Sequence, residues 1–508
     1  MFRKRLLFSL ICILVCCCTL DAQKIVYSEP DKEDSRRMNF EIIGKIHGNY
    51  LIYKNNHGKN WVCVFDNDMK EISKVYANYL PEDRLINIDF FPYNDFFYAI
   101  YQFQRKSTVY CDAVKMDANC KKMSDVIQLD TTHLGFSASN KVYSVITSED
   151  KSKLMVFKIN SRNKERYAIS TTLFDDSLGL LKRSTLTMPM DDRNDYLDEF
   201  YLDNDGDFVF TKFYRQNSDI ISQASLVIKY AQADTFIVNQ LDLEKRYLDE
   251  VHIKVDNFNK RFFLTSFYYP ERRGNIEGFY FYVCDKEIGK VQMESTVAFS
   301  DDLKRDAKGE NNVKMAFNDY FIRNIIIEKN GGFLIGSESF YTTSRYNSWN
   351  RWDYLYGSPF YSPYDYYSYS PYYNSSWYRS RFYNNPQNVR YHADNIVLLS
   401  FDKDGKLLWN NVITKEQFND ESDDLISYQL MNTGGQLHFL FNIEERRANL
   451  LNDYTISPRG EIARDPTLKN LDKGFEFMAK YGKQVSAHQM IIPCLYRNDI
   501  CFAKIDFN

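Results

Sequence analysis

Cysteine, glycine and proline are all scarce in this chain, and each shortage closes off a class of fold. Of ten cysteines in 508 residues, four lie within the first 18 positions. The other six, Cys63, Cys111, Cys120, Cys284, Cys494 and Cys501, are too few and too scattered to frame so long a chain. Only 20 glycines and 12 prolines are present, which argues against a long disordered linker. The seven histidines (His47, His57, His133, His252, His392, His438 and His488) show no paired spacing for a metal. A nucleophile elbow, a phosphate-cradling glycine loop and a Cys-x-x-Cys pair are missing as well. Local motifs therefore point to no catalytic residue, metal or cofactor. Beyond the N-terminal segment, no apolar run has the length of a transmembrane helix.

That N-terminal segment reads as an export signal. Arg3, Lys4 and Arg5 precede the apolar run Leu6–Cys18, and Leu20-Asp21-Ala22 puts a small residue at the cleavage position. Residues 1–22 would be removed, so that the mature chain begins at Gln23. Leu14-Val15-Cys16-Cys17 loosely resembles a bacterial lipobox, which makes lipid attachment the alternative. The expected location is the periplasm, the outer-membrane surface or the extracellular space. Loss of Arg3, Lys4, Arg5 and Asp21 moves the formal charge from −4 to −6. Such a chain has no electrostatic case for nucleic acid.

Aromatics are plentiful, with 39 Tyr and 38 Phe, and this composition favours strands. They are organised around Asp394 to Val412, DNIVLLSFDKDGKLLWNNV. Asn395–Phe401 alternates as a strand, Asp402-Lys403-Asp404-Gly405 carries turn chemistry, and Lys406–Val412 returns. Weaker copies recur throughout. Tyr196-Leu197-Asp198-Glu199 reappears as Tyr247-Leu248-Asp249-Glu250, an offset of 51. Third-strand ends marked at 66, 117, 175, 231, 285, 402, 457 and 506 lie 49 to 58 residues apart, except for one interval of 117 that holds an insertion. Most of these positions are acidic, but Ala231 stands where an Asp is expected.

Units of four short strands at this period predict an all-β fold, a β-propeller over residues 23–508. One four-stranded sheet cannot cover both its faces, whereas a ring of sheets packs face to face and leaves few edges. The count is eight blades, with seven as the rival. The last unit stops at Ile505-Asp506 before its fourth strand. The orphan strand Lys24–Ser28 is expected to supply it and close the ring.

The repeats resemble those of β-propeller proteins, and the chain as a whole resembles exported bacterial propeller proteins. Phe401–Trp409, FDKDGKLLW, is similar to the tryptophan-docking repeat of quinoprotein-type propellers. There an Asp, a Gly-Lys turn and a Trp close each blade onto the next. Here the turn is one residue shorter and only Trp409 takes the docking position, with Ile72, Phe236 and Val291 nearest to it in other units. The resemblance implies fold and compartment, and no quinone site carries over.

The insertion Thr342–His392 in the sixth blade holds thirteen tyrosines, three of the five tryptophans and a net charge of +3. It is either an expanded low-complexity loop or a binding flap. As a flap, Trp349, Trp352 and Trp377 would stack on sugars or peptide side chains, while Arg379 and Arg381 supply hydrogen bonds and cation–π contacts. Loop length enters stability logarithmically, so its excision is expected to cost only about a kcal/mol. Asp198, Glu199, Asp249 and Glu250 fall at strand starts, either as acids at the channel mouth or as caps of backbone amides. Asp203-Asn204-Asp205-Gly206-Asp207 alternates carboxylates, but its glycine precedes the third acid and no distal Glu follows, so a plain turn is expected. Cys494 and Cys501 oppose each other if Arg497-Asn498 is the turn. A disulfide between them needs a non-hydrogen-bonded pair; two buried thiols are the alternative. The function expected is a non-catalytic binding or scaffolding propeller that meets a glycan, peptide or protein partner of the cell envelope. The alternative is a glycan-active enzyme with two carboxylates about 5–9 Å apart at the channel mouth.

Overall fold

The computed structural model describes residues 23–32, 38–138, 141–160, 163, 165–190, 194–215, 220–344, 351, 355, 389–420, 422–445, 448–464 and 474–507. Short strands joined by tight turns dominate. The first unit runs Met38–Ile46, Asn49–Asn56, Lys59–Phe65 and Glu71–Tyr76, each strand paired antiparallel with the next. Middle strands such as Arg261–Tyr269 are buried along their whole length, because neighbouring sheets cover both faces. Outermost strands such as Lys290–Ala298 are largely exposed.

Hydrogen bonds divide the strands into seven sheets. The nine-stranded one holds two four-strand runs, Asp195–Leu202 to Ile237–Gln240 and His252–Asp256 to Lys290–Ala298, bridged by the two-residue strand Tyr247–Leu248. Four-strand runs therefore number eight among the described residues. Their innermost strands are neighbours: Met38–Ile46 lies beside Lys483–Ser486 and Arg84–Pro92, and Asp195–Leu202 beside Ser144–Thr147 and His252–Asp256. The molecule is a β-propeller.

The N-terminal strand closes it as expected. Lys24–Tyr27 pairs antiparallel with Asp499–Asp506, from Lys24 opposite Asp506 to Tyr27 opposite Ala503. Two further bonds extend the seam, from Ser28 N to Phe502 O at 2.9 Å and from Asp31 N to Ile500 O at 2.8 Å.

The acids marking the third-strand ends have a local cause. Asp66 Oδ1 accepts the amides of Asp68 and Lys70, each at 2.9 Å. Asp117, Asp175 and Asp402 do the same for the amides two and four residues on, and the Ser457 hydroxyl does so in the seventh run. Each of these turns then places its fourth residue at positive φ: Met69 at 55°, Gly405 at 75° and Gly460 at 82°. At the defective position, the Ala231 amide donates instead to Asp207 Oδ1 at 2.7 Å. Trp409 packs flat under the next run's turn, where a β-carbon on Gly460 would stand 2.6 Å from its ring. Ile72 and Val291, by contrast, are exposed.

Two features depart from the expected layout. The strands flanking the insertion, Phe333–Ser344 and Val389–Phe401, keep pairing as far as Ser344 opposite Val389. The insertion is thus 345–388 and stands on a two-stranded stalk. A helix, Asp301–Lys308 (α1), fills the acidic connection before the sixth run. Ser300 caps its Leu303 amide, Asp301 and Asp302 sit favourably in its first turn, and Gly309 ends it at φ 84°. No helix among the described residues is long and apolar enough to cross a membrane.

Candidate functional site

The two copies of Tyr-Leu-Asp-Glu lie side by side, and backbone irregularity aims their acids. In the fourth run the pairing register shifts between Asp198 and Tyr201, with Glu199 at φ 56°. In the fifth, the innermost strand breaks between Leu248 and His252. Such bulges redirect side chains that a regular strand would alternate. Glu199 Oε2 accepts the Ile253 amide at 2.9 Å, and Glu250 Oε1 accepts the Ile322 amide at 2.6 Å. Each acid therefore caps a backbone amide of the next run.

Their remaining oxygens converge on one imidazole. His252 Nδ1 lies 3.4 Å from Glu199 Oε1, and Nε2 lies 3.3 Å from Glu250 Oε2. Burial disfavours the charged ring, but Glu250 and Glu199 outweigh it and hold His252 well above its ordinary value. Burial would likewise raise Glu250, but His252 and then Arg351 keep its carboxyl below the usual range. The group is an imidazolium clamped between two carboxylates.

Asp249, fully buried, faces Arg351 of the insertion. Arg351 Nε donates to both carboxylate oxygens at 3.0 and 3.1 Å, and Nη2 to Oδ2 at 2.5 Å. The rest of the fork reaches the carbonyls of Asn318 at 3.1 Å and Tyr320 at 2.5 Å. Tyr269 donates its hydroxyl to Asp249 Oδ1 at 2.8 Å, and the guanidinium carbon lies 3.7 Å from the centre of the Phe321 ring. Of the four nominated acids, Glu199, Asp249 and Glu250 are drawn together. Asp198 contributes its carbonyl, which accepts from the Thr211 hydroxyl at 3.0 Å. Trp349, Trp352, Trp377, Arg379 and Arg381 lie outside the described residues.

Sequence reading passed over three further groups. Beside the clamp, buried Glu338 meets Lys415 Nζ at 2.9 Å and Arg323 Nε at 3.5 Å, and it accepts from the Ser427 hydroxyl. Lys415 also donates to Ala393 O at 2.7 Å and to Gln417 Oε1 at 2.8 Å. On the stalk, Tyr341 and His392 stack at 4.5 Å, and Arg390 binds Asp420 with bonds of 2.6 and 3.0 Å while lying over Phe418. Around the innermost strands of the first two runs, burial pushes Glu41 up to about 7, opposed by Lys483 and Lys141 and reinforced by Asp89. The Glu338 and Glu41 groups join residues from separate runs, which spacing along the chain does not reveal, whereas the stalk group lies within the sixth run.

Asp203–Asp207 forms a turn. Asp203 Oδ1 accepts the amides of Asp205 and Asp207 at 2.9 and 2.8 Å. The Lys286 ammonium from the next run stands among the three carboxylates, 2.5 Å from Asp205 and 3.0 Å from Asp207. Cys494 and Cys501 are directly opposed, both buried thiols with sulfurs 2.9 Å apart. Their neighbours Ile500 and Phe502 turn their backbone groups toward the closing segment, so the cysteines form a hydrogen-bonded pair. The β-carbons of such a pair stand at about 5.5 Å, against about 3.8 Å in an unstrained disulfide.

No protein-family model matches the chain, and no curated protein matches it. Solved structures align over most of its length at very low identity. Cobalt-substituted Synechocystis apocarotenoid oxygenase shares 8% identity at a TM-score of 0.33, covering 96% of this chain and 94% of its own. Prolyl oligopeptidase B from Galerina marginata shares 8% at 0.38, with coverage of 92% and 57%. The polysaccharide lyase Uly1 shares 9% at 0.35, with coverage of 85% and 91%. These alignments are too loose to transfer an activity, and the assignment of a propeller rests on the chain's own sheets.

Proposed function

We propose that this protein is an exported, eight-bladed, non-catalytic binding or scaffolding propeller. Its contact surface is the face from which the insertion rises, and its partner is a glycan, peptide or protein of the cell envelope. One observation carries the reading: Glu199, Asp249 and Glu250 are each committed to an internal cation, and the two glutamates also to a backbone amide. A glycosidase needs one carboxyl free to donate a proton and another facing the sugar. On the same face, the stalk offers Arg390, Phe418 and His392 beside the Tyr- and Trp-rich segment. The eight four-strand runs support eight blades over seven, and the basic, then apolar N-terminus supports export.

The test is retention of purified protein on immobilised envelope glycan and envelope protein fractions. The intact chain should be retained, and the triple variant W349A/W352A/W377A should lose at least tenfold while keeping its melting temperature. Equal retention of the two would sink the insertion as a contact surface.

A second reading has its own support. Burial raises the Glu41 carboxyl to about 7, with Asp89 adding to the rise, and a carboxyl raised in this way can serve as the proton donor in glycan hydrolysis. Release of reducing sugar from envelope glycans, abolished by Glu41→Gln, would favour this enzyme reading over the first.

A further inference from the structure

We infer that Asp249, the carbonyls of Asn318 and Tyr320, and the Phe321 ring form a guanidinium receptor, which Arg351 occupies as a built-in ligand and which an arginine of a partner peptide can take over. The receptor belongs to the body of the propeller. Asp249 follows the short strand of the fifth run, and Asn318 to Phe321 enter the sixth. Its carboxylate is held by the propeller itself: Tyr269 donates to it at 2.8 Å, and the Asp249 amide donates to Phe267 O at 3.0 Å.

Its chemistry selects a planar fork. Three acceptors, one anionic and two carbonyl, lie in reach of one guanidinium, and an aromatic face covers its plane. An ammonium is a compact point donor and cannot serve this spread of acceptors while also stacking. Leu355, four residues on, packs against the buried cluster of Phe321, Phe340, Ala393 and Ile426. The imprint is therefore an arginine followed by an apolar residue at the fourth position, as one stretch of peptide presents them. A resident ligand on the same chain acts at an effective concentration in the millimolar range. A partner must add contacts of its own to displace it, and the stalk beside the receptor offers them. This inference does not depend on what the tryptophans bind.

The test empties the receptor and refills it. Full-length Arg351→Ala is titrated with N-acetyl-arginine methylamide, and with N-acetyl-lysine methylamide as control, by thermal unfolding and calorimetry. The expected result is saturable one-to-one binding of the arginine probe, with a melting temperature that climbs with its concentration, and at least tenfold weaker binding of the lysine probe. The wild type, already occupied, should not respond, and neither should D249N/R351A, which lacks the anion. If R351A does not fold unaided, the comparison is made by refolding: recovery with the arginine probe alone supports the receptor. No response of R351A to arginine, an equal response to lysine, or an undiminished response of D249N/R351A would overturn it.

Discussion

An imidazolium held between two carboxylates loses its hold at both ends of the pH scale, and the two losses have opposite signs. His252 is raised above its ordinary value in the folded protein. Its contribution is therefore fully present below the unfolded pKa of about 6.5 and is lost as pH rises through the folded value. Glu250 is lowered, so its share is present above about pH 4.3 and is lost as pH falls through the folded value. The clamp is strongest between those limits. His252→Gln keeps a polar side chain of similar reach but removes the charge and leaves two acids facing each other. We expect a loss of about 2–4 kcal/mol near pH 6, shrinking as the wild-type imidazole deprotonates on the alkaline side. Urea unfolding of both proteins across the pH range measures this. A difference that stays constant from acid to alkali would mean that the ring acts by shape alone.

The elements tell how much could be read in advance. Third-strand ends were legible because an acid capping two amides of its own turn is a local event, visible in Val64-Phe65-Asp66 or Ser400-Phe401-Asp402 without knowledge of the fold. The closing strand was legible too, since Asp499–Asp506 would otherwise leave an open edge. Helix α1 was hidden because Ser300-Asp301-Asp302 is equally good loop and N-terminal turn, and only Leu303 and Ala307 packing inward decide it. Within the site, the repeat of Tyr-Leu-Asp-Glu exposed the acids. His252 escaped notice because one of its partners, Glu199, sits in the preceding run. The closing strand also yields a prediction. Ile25 and Tyr27 pack on the core of the last run, and Tyr27 stacks on Phe475 at 4.1 Å. Gln23 reaches Asp453 Oδ2 of the seventh run at 2.5 Å. Deleting Gln23–Glu29 should cost at least about 3 kcal/mol, the worth of one or two such side chains, and promote self-association through the freed edge. An unchanged melting temperature for a monodisperse truncated protein would count against closure by this strand.

For the molecule as a whole, the open question is whether the insertion is an ornament on the propeller or part of its stability. From the sequence, Arg351 was one of five arginines giving a loop a positive charge, and loop length alone made excision nearly free. The structure alters the sum, because Arg351 is buried against a carboxylate 102 residues away in sequence. Shortening the chain between Ser344 and Val389 still changes loop entropy by only about a kcal/mol. Removing Arg351 with it strands Asp249 in the interior, where a lone carboxylate after the loss of its partner costs about 3–5 kcal/mol. The protein joined from Ser344 to Val389 through a short glycine turn should therefore fold but be destabilised by roughly that amount. Asp249→Asn in the excised protein should recover most of the loss, since a neutral amide can keep the Tyr269 hydroxyl without carrying a charge. In the intact chain the same substitution should be destabilising, because it leaves the Arg351 guanidinium uncompensated. This reversal of sign between the two backgrounds is the measurement to make, by denaturant unfolding of the four proteins. If Asp249→Asn destabilises both backgrounds equally, Arg351 does not neutralise Asp249 and the insertion adds nothing to the stability of the ring.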